Sequence, residues 1–201
     1  MSVRVVSLFA VLLLCASGVR AQQGDGRDDS IGEVALSNDT LQLRYSTGGR
    51  LVGVDESRFN AAFFLSEERD IVLSAGLMFP TNLDFGAIGD RLSLHIGPQV
   101  YAALLDEENN DVLAASLGAE VRFLLIRDMG LAIAGHAYYA PDILAFGSAD
   151  NLTDLMARVE IGVGSQVIAF GGMRWFEFDL TEGLGEQTLQ EEVFVGFGYR
   201  F

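Results

Sequence analysis

The sequence predicts an all-β fold, an antiparallel up-and-down transmembrane β-barrel of about 8–10 strands. Three observations predict it. From residue 41 onward the chain is built of segments, roughly ten to fourteen residues each, that alternate apolar with small or polar side chains, the period of strands with two unlike faces. Half of the residues are hydrophobic, yet no segment of the mature chain runs eighteen apolar residues, so helical spanning is excluded. The closing stretch, Glu191 to Phe201, sets Val193, Val195, Phe197, Tyr199 and Phe201 against Phe194, Gly196, Gly198 and Arg200. A terminal strand that is apolar and aromatic on one face suits a barrel whose outside meets lipid.

The amino-terminal end reads as a secretory signal peptide over residues 1–21. Arg4 is followed by an apolar run from Val5 to Ala16 and by Val19-Arg20-Ala21, a basic start, a short apolar region and an A-x-A-like cleavage site. Cys15 is the sole cysteine and lies in that run behind Leu12, Leu13 and Leu14. The mature chain therefore has no thiol for a disulfide, a metal site or a nucleophile. Residues 22–33 read as a flexible periplasmic lead-in and residues 34–201 as the barrel.

All thirteen basic residues are arginine, against twenty-eight carboxylates. Without Arg4 and Arg20 the mature chain carries a net charge of −17. Such a balance excludes nucleic acid as a partner, because phosphate binding needs a basic face. High apolar content excludes an acidic disordered chain. Acidity and apolarity must be segregated.

The strands follow in order. Leu41, Leu43 and Tyr45 alternate with Gln42 and Arg44; Phe59, Ala61, Phe63 and Leu65 with Asn60, Ala62 and Phe64. Ile71 to Phe79 keeps the same parity. Leu92, Leu94, Ile96, Pro98, Val100, Ala102 and Leu104 share one face, opposite Ser93, His95, Gly97, Gln99 and Tyr101. Pro98 removes a ladder donor and predicts an irregularity there. Further strands run over Leu113–Leu125, Leu131–Tyr139, Leu155–Val163 and Val167–Trp175, where Phe176 and Phe178 suggest a change of parity. With the closing strand these are nine segments. Single-chain barrels have even counts, so either Ile31 to Ser37 is a tenth strand turning at Asn38-Asp39, or one segment lies outside the barrel.

With the carboxyl terminus in the periplasm, the loops Glu67–Asp70, Asp106–Asn110, Pro141–Asn151 and Thr181–Gln190 face outward and hold most acids, among them Asp106, Glu107, Glu108, Glu182 and Glu186. The turns Arg127–Gly130 and Gly164–Gln166 are tight and face inward. The inward link Pro80–Arg91 is an exception to the usual asymmetry of short inner turns and longer outer loops.

The second face of the strands is Gly, Ala and Ser with isolated charges, unlike the Thr- and Lys-rich outer face of a soluble sandwich and like the crowded interior of a small barrel. Arg44, Glu120, Arg122, Arg158, Glu160, Arg174 and Arg200 form the expected interior polar network, with Glu120–Arg122 and Arg158–Glu160 as adjacent pairs, since a buried charge must be paired. Tyr45, Phe79, Tyr139, Trp175 and Tyr199, on the apolar parity near strand ends, are the expected aromatic girdle.

Chemistry is sparsely signalled. His95 and His136 are the only histidines, both on the polar parity. Ser93 neighbours His95, but two residues along a strand do not make a triad. The Asp106–Asp111 acidic cluster lacks the spacing of a calcium loop. No phosphate loop, zinc motif or nucleophile elbow occurs, so no cofactor, no metal and no catalytic residue is expected.

At His136-Ala137-Tyr138-Tyr139-Ala140-Pro141-Asp142 and Gly171-Gly172-Met173-Arg174-Trp175 the chain resembles YfaZ-type bacterial outer-membrane proteins. A Tyr-Tyr-Ser/Ala-Pro-Asp ending and a Gly-aromatic-Arg-aromatic strand recur there in this order, with Met173 replacing the first aromatic here. The resemblance implies an outer-membrane barrel, and by similarity to outer-membrane proteins generally the tail ending in Phe201 is the signal read by the barrel-insertion machinery. The reading is then a structural barrel in outer-membrane lipid, its interior plugged by ion pairs. A narrow porin-like solute pore is the alternative, and a barrel enzyme acting on lipid through His95 or His136 a third. If the leader is cut as read, intact-mass measurement of the protein from cell envelopes finds a chain beginning at Gln22.

Overall fold

The computed structural model describes residues 30–81, 86–105, 110–180 and 186–201. The signal peptide with Cys15, the lead-in up to residue 29, and the acidic loop residues Asp106, Glu107, Glu108 and Glu182 lie outside the described residues. Eleven strands are present among them: β1 Ile31–Leu36, β2 Thr40–Gly48, β3 Arg58–Ser66, β4 Ile71–Pro80, β5 Leu92–Leu105, β6 Asn110–Ile126, β7 Leu131–Ala140, β8 Ala145–Gly147, β9 Ala149–Val163, β10 Val167–Leu180 and β11 Glu186–Arg200.

Ten of these close a ring. Each pairs antiparallel with its neighbour in chain order, β9 taking the place beside β7, and β1 pairs with β11 from Ile31↔Arg200 to Leu36↔Val195. The tenth strand is Ile31–Leu36, which gives the even count and sets both ends of the ring on one side. The barrel therefore starts at Ile31 rather than at residue 34: Glu33, read as the end of the lead-in, lies opposite Arg44 and Gly198. Strand β8 is an addition. A short 3₁₀ turn at Asp142–Leu144 interrupts β7, and β8 resumes pairing along β6 at Val112–Ala114, so the loop expected at Pro141–Asn151 is largely ordered against the wall. Likewise β11 begins at Glu186, inside the expected loop, with Leu189 as the extra residue of a bulge.

Side-chain alternation sets the two surfaces. On β11, Val193 and Val195 are each 68% exposed and Phe197 56%, whereas Phe194 between them is 7% exposed. The exposed set is the apolar one, and it repeats on the other strands: Leu104 and Ile96 on β5, Leu117 on β6, Ile133 on β7, Val159 on β9. Water would penalise such a belt and lipid would not; this is a transmembrane barrel. On β10 the parity does not change. Phe176 and Phe178 are interior and buried, while Trp175 and, beyond it, Glu177 and Asp179 take the outward positions. The aromatics that looked like a slip are inward-facing core.

At Pro98 the β4–β5 ladder lapses at Leu77 and Met78 yet resumes in the same register at Phe79↔Ile96, and the β5–β6 ladder is unbroken. The predicted irregularity is thus a lapse in pairing and not a bulge. Each tight turn holds a left-handed glycine, Gly130 (φ 59°) closing one and Gly164 (φ 75°) opening the other, a conformation glycine enters without steric cost. A second long link, Gly49–Ser57, joins Pro80–Arg91 at the end that carries both termini.

Closure predicts a measurable property. In detergent the unheated protein should migrate differently from the boiled protein on a gel; identical mobility would contradict a closed ring.

Candidate functional site

The interior is layered. At the end away from the termini lies an apolar cluster drawn from most of the wall: Phe64, Val72, Met78, Tyr101, Leu152, Phe176 and Phe178 among others. Phe176 is its centre, with ring centroids 5.7 Å from Phe64, 5.7 Å from Tyr101 and 5.5 Å from Phe178.

Below this cluster Asp154 gathers three donors. Arg174 approaches in a fork, Nε at 2.8 Å from Oδ1 and Nη2 at 2.9 Å from Oδ2. The Tyr101 hydroxyl donates to Oδ2 at 2.8 Å, and His136 Nε2 lies 3.1 Å from Oδ1. The Arg174 guanidinium also lies 4.4 Å from the Phe176 centroid, so the cation bridges the polar layer to the aromatic one. Arg44 Nη2 donates to His136 Nδ1 at 3.4 Å, which leaves the ring proton of a neutral imidazole on Nε2, facing Asp154.

Glu120 is the second node. Its Oε1 accepts from Asn60 Nδ2 at 3.0 Å and from the Tyr138 hydroxyl at 2.9 Å, with Arg44 at 3.9 Å. Gly118 makes room for this: a methyl group there would overlap the Tyr138 ring. The third node is Glu160, taking Arg122 Nε at 2.7 Å and Arg158 Nε at 2.9 Å, while Arg158 also holds Glu33 in a fork at 2.8 and 3.0 Å. Most of these bonds cross the lumen between strands that are not neighbours, β1 to β9, β3 to β6, β5 to β9, β2 to β7 and β6 to β9.

Six of the seven expected network residues, Arg44, Glu120, Arg122, Arg158, Glu160 and Arg174, are in this system. The seventh, Arg200, lines the wall near the termini and makes no side-chain ion pair among the described residues. Arg158–Glu160 is a pair as expected. Glu120–Arg122 is not, because Arg122 turns across the lumen to Glu160. Sequence reasoning missed Glu33, Asn60, Tyr101, Tyr138 and Asp154 as members. Polar parity was the available signal for Asn60, Tyr101 and Tyr138.

The five aromatics expected as a girdle all face outward. Tyr45, Phe79 and Tyr199 lie toward the terminus-bearing end, Tyr139 and Trp175 toward the other. Phe201 lies across Gly32 and is stacked on both Tyr45 (6.1 Å) and Tyr199 (6.2 Å), and its N–H donates to the Ser30 carbonyl at 3.0 Å.

The polar layers stop short of the terminus-bearing end, leaving a cavity of ≈ 290 Å³ lined by Ser46, Arg58, Ser93, His95 and Arg200 together with the lower network residues. His95 and Ser93 share its wall without a hydrogen bond to each other among the described residues. His136 has an acid partner but no serine in contact there, so neither histidine is set in a nucleophilic triad.

Residues 62–201 match the family described as YfaZ precursor, a span that contains both sequence motifs and eight of the ten ring strands in whole or part. The chain belongs to the YfaZ family. In YfaZ terms Tyr138 is the first tyrosine of the Tyr-Tyr-Ala-Pro-Asp motif and its hydroxyl donates to Glu120, while Arg174 of the Gly-rich strand carries the bidentate bond to Asp154. The family's two short motifs thus supply one contact to each of two network nodes. No curated protein matches the chain. Among solved structures, a bacterial polysaccharide outer membrane secretin shares 14% identity over 88% of this chain with a TM-score of 0.46. The chain spans 66% of that protein's length, and a likeness this slight carries no argument about function.

Removing one partner of the central pair should be costly. Asp154→Ala leaves the Arg174 charge buried and uncompensated, a loss of about 3–5 kcal/mol, read as a lower urea midpoint of the folded band. Arg50→Ala, which breaks the exposed 3.5 Å pair with Asp55, should leave that midpoint unchanged.

Proposed function

We propose that this protein is a bacterial outer-membrane barrel that keeps its lumen shut, a structural component and not an enzyme. The supporting observation is the filled cross-section. Met78, Tyr101, Tyr138, Leu152, Phe176 and Phe178 are each at most 1% exposed, and directly beneath them the Asp154 and Glu120 nodes tie opposite walls together. The plug is therefore part apolar, where the sequence suggested ion pairs and hydrogen bonds.

In this reading the terminus-bearing end faces the periplasm and the acidic loop end faces outside. Tyr45, Phe79, Tyr199 and Phe201 anchor the inner interface, and Tyr139 and Trp175 the outer, because amphipathic rings favour the headgroup level. Outward carboxylates such as Asp39, Glu67, Asp111, Glu177 and Glu191 sit beyond the apolar belt on the outer side. The partners are outer-membrane lipids and the barrel-insertion machinery, which reads the β11 strand ending in Phe201. The signal peptide delivers the chain across the inner membrane. Both ring nitrogens of His136 are engaged by Arg44 and Asp154, which supports a positioning role for that histidine in place of lipid chemistry.

A narrow pore is the second reading, favoured by the open cavity at one end and the ring of ten strands. Planar-bilayer recording separates the two. A shut barrel gives no stable conductance steps from the purified protein, and reproducible unitary steps would establish the pore.

A further inference from the structure

The cavity at the terminus-bearing end is opposite in sign to the molecule around it. The chain carries a formal charge of −15, yet the cavity wall holds five arginines, at positions 44, 58, 122, 158 and 200, against the carboxylates of Glu33, Glu120 and Glu160. Those carboxylates are engaged: Glu33 by Arg158, Glu160 by Arg158 and Arg122, Glu120 by Arg44. Arg58 and Arg200 are left without an ion pair among the described residues. They stand at the mouth, at the first position of β3 and the last of β11, with β1 and β2 between them. Three inter-strand steps put their strands about 14 Å apart along the wall, with Arg58 two residues from Asn60, the position level with Arg200, a span two long arginine side chains can close on one ligand.

Two uncompensated cations at the neck of a cavity enclosed by the barrel wall make a focused positive potential. Guanidinium forks match oxyanions in geometry as well as charge. Ser46 and His95, both lining the same space, offer neutral donors or acceptors beside them. At ≈ 290 Å³ the space takes a small anion and excludes a polymer. Its lining is drawn mainly from interior-facing side chains at the terminus-bearing end and not from the lipid-facing set, so the ligand is a soluble species.

We propose that the mouth of the barrel binds a small multivalent oxyanion, bearing phosphate or carboxylate groups, between Arg58 and Arg200. Binding at the mouth does not depend on the seal above it, so a conducting barrel would leave this inference intact.

Titration of inorganic pyrophosphate into the full folded chain in zwitterionic micelles, followed by calorimetry, tests it. One site per barrel is expected, and Arg58→Gln or Arg200→Gln should each weaken binding about tenfold, the loss of one charge-assisted contact. Arg50→Gln, at the same end but outside the cavity, should bind as the native protein does. Folding of each variant is read from its heat-dependent mobility. No binding by the native protein, or an equal loss in all three variants, overturns the proposal. Should a Gln variant fail to fold, salt decides on the native chain alone: affinity that does not fall as sodium chloride is raised overturns it.

Discussion

A charge placed inside a barrel must be compensated there, and Asp154 is where this chain meets that requirement most fully. Its two oxygens receive Arg174, Tyr101 and His136 from β10, β5 and β7, while Asp154 itself is on β9. Four strands are thereby committed to one relative height. A slip of a single residue in any of them would turn its member out into lipid, so the polar node specifies register as strongly as the apolar belt does. Glu120 and Glu160 extend the constraint to β2, β3, β6 and, through Arg158 and Glu33, to β1.

The same requirement explains how an acidic, apolar chain is arranged. Apolar side chains cover the outside, carboxylates collect at the loop end, and the arginines are spent largely on the inside. Below the aromatic layer the interior cannot be closed with hydrophobes alone, because Arg174 stands at the boundary. It contacts a carboxylate on one side and the Phe176 face on the other, joining two kinds of packing that otherwise exclude each other.

Much of this was written in the alternation. The face assignment of β2 to β7, of β9 and of β11 follows from period two, and so does the membership of most network residues. What alternation does not carry is which residues meet across the lumen. Glu120 and Arg122 look like a pair because they are two apart on one face, yet closure brings Glu160 to Arg122 and Asn60 to Glu120, and closure is a property of the ring. Strand ends were obscured for a related reason. Glu33 is the third residue of β1 and Asp154 the sixth of β9, both ahead of the point at which the alternation becomes clear. Phe176 and Phe178 mimicked a lipid-facing set because an interior that is partly apolar uses the same residue types as the outside.

Phe201 lies over Gly32 between Tyr45 and Tyr199, so the seam of the ring joins nearly the first described residue to the last. That contact has the greatest sequence separation available to the barrel, and contacts of long separation form late because the intervening chain must first be ordered. The hairpins from β2 to β10 pair residues close in sequence, but β1 has no second partner until β11 is in place. Until that pairing forms, the sheet is open with two unpaired edges, and the stack of Phe201 on Tyr45 and Tyr199 is the latch across the seam.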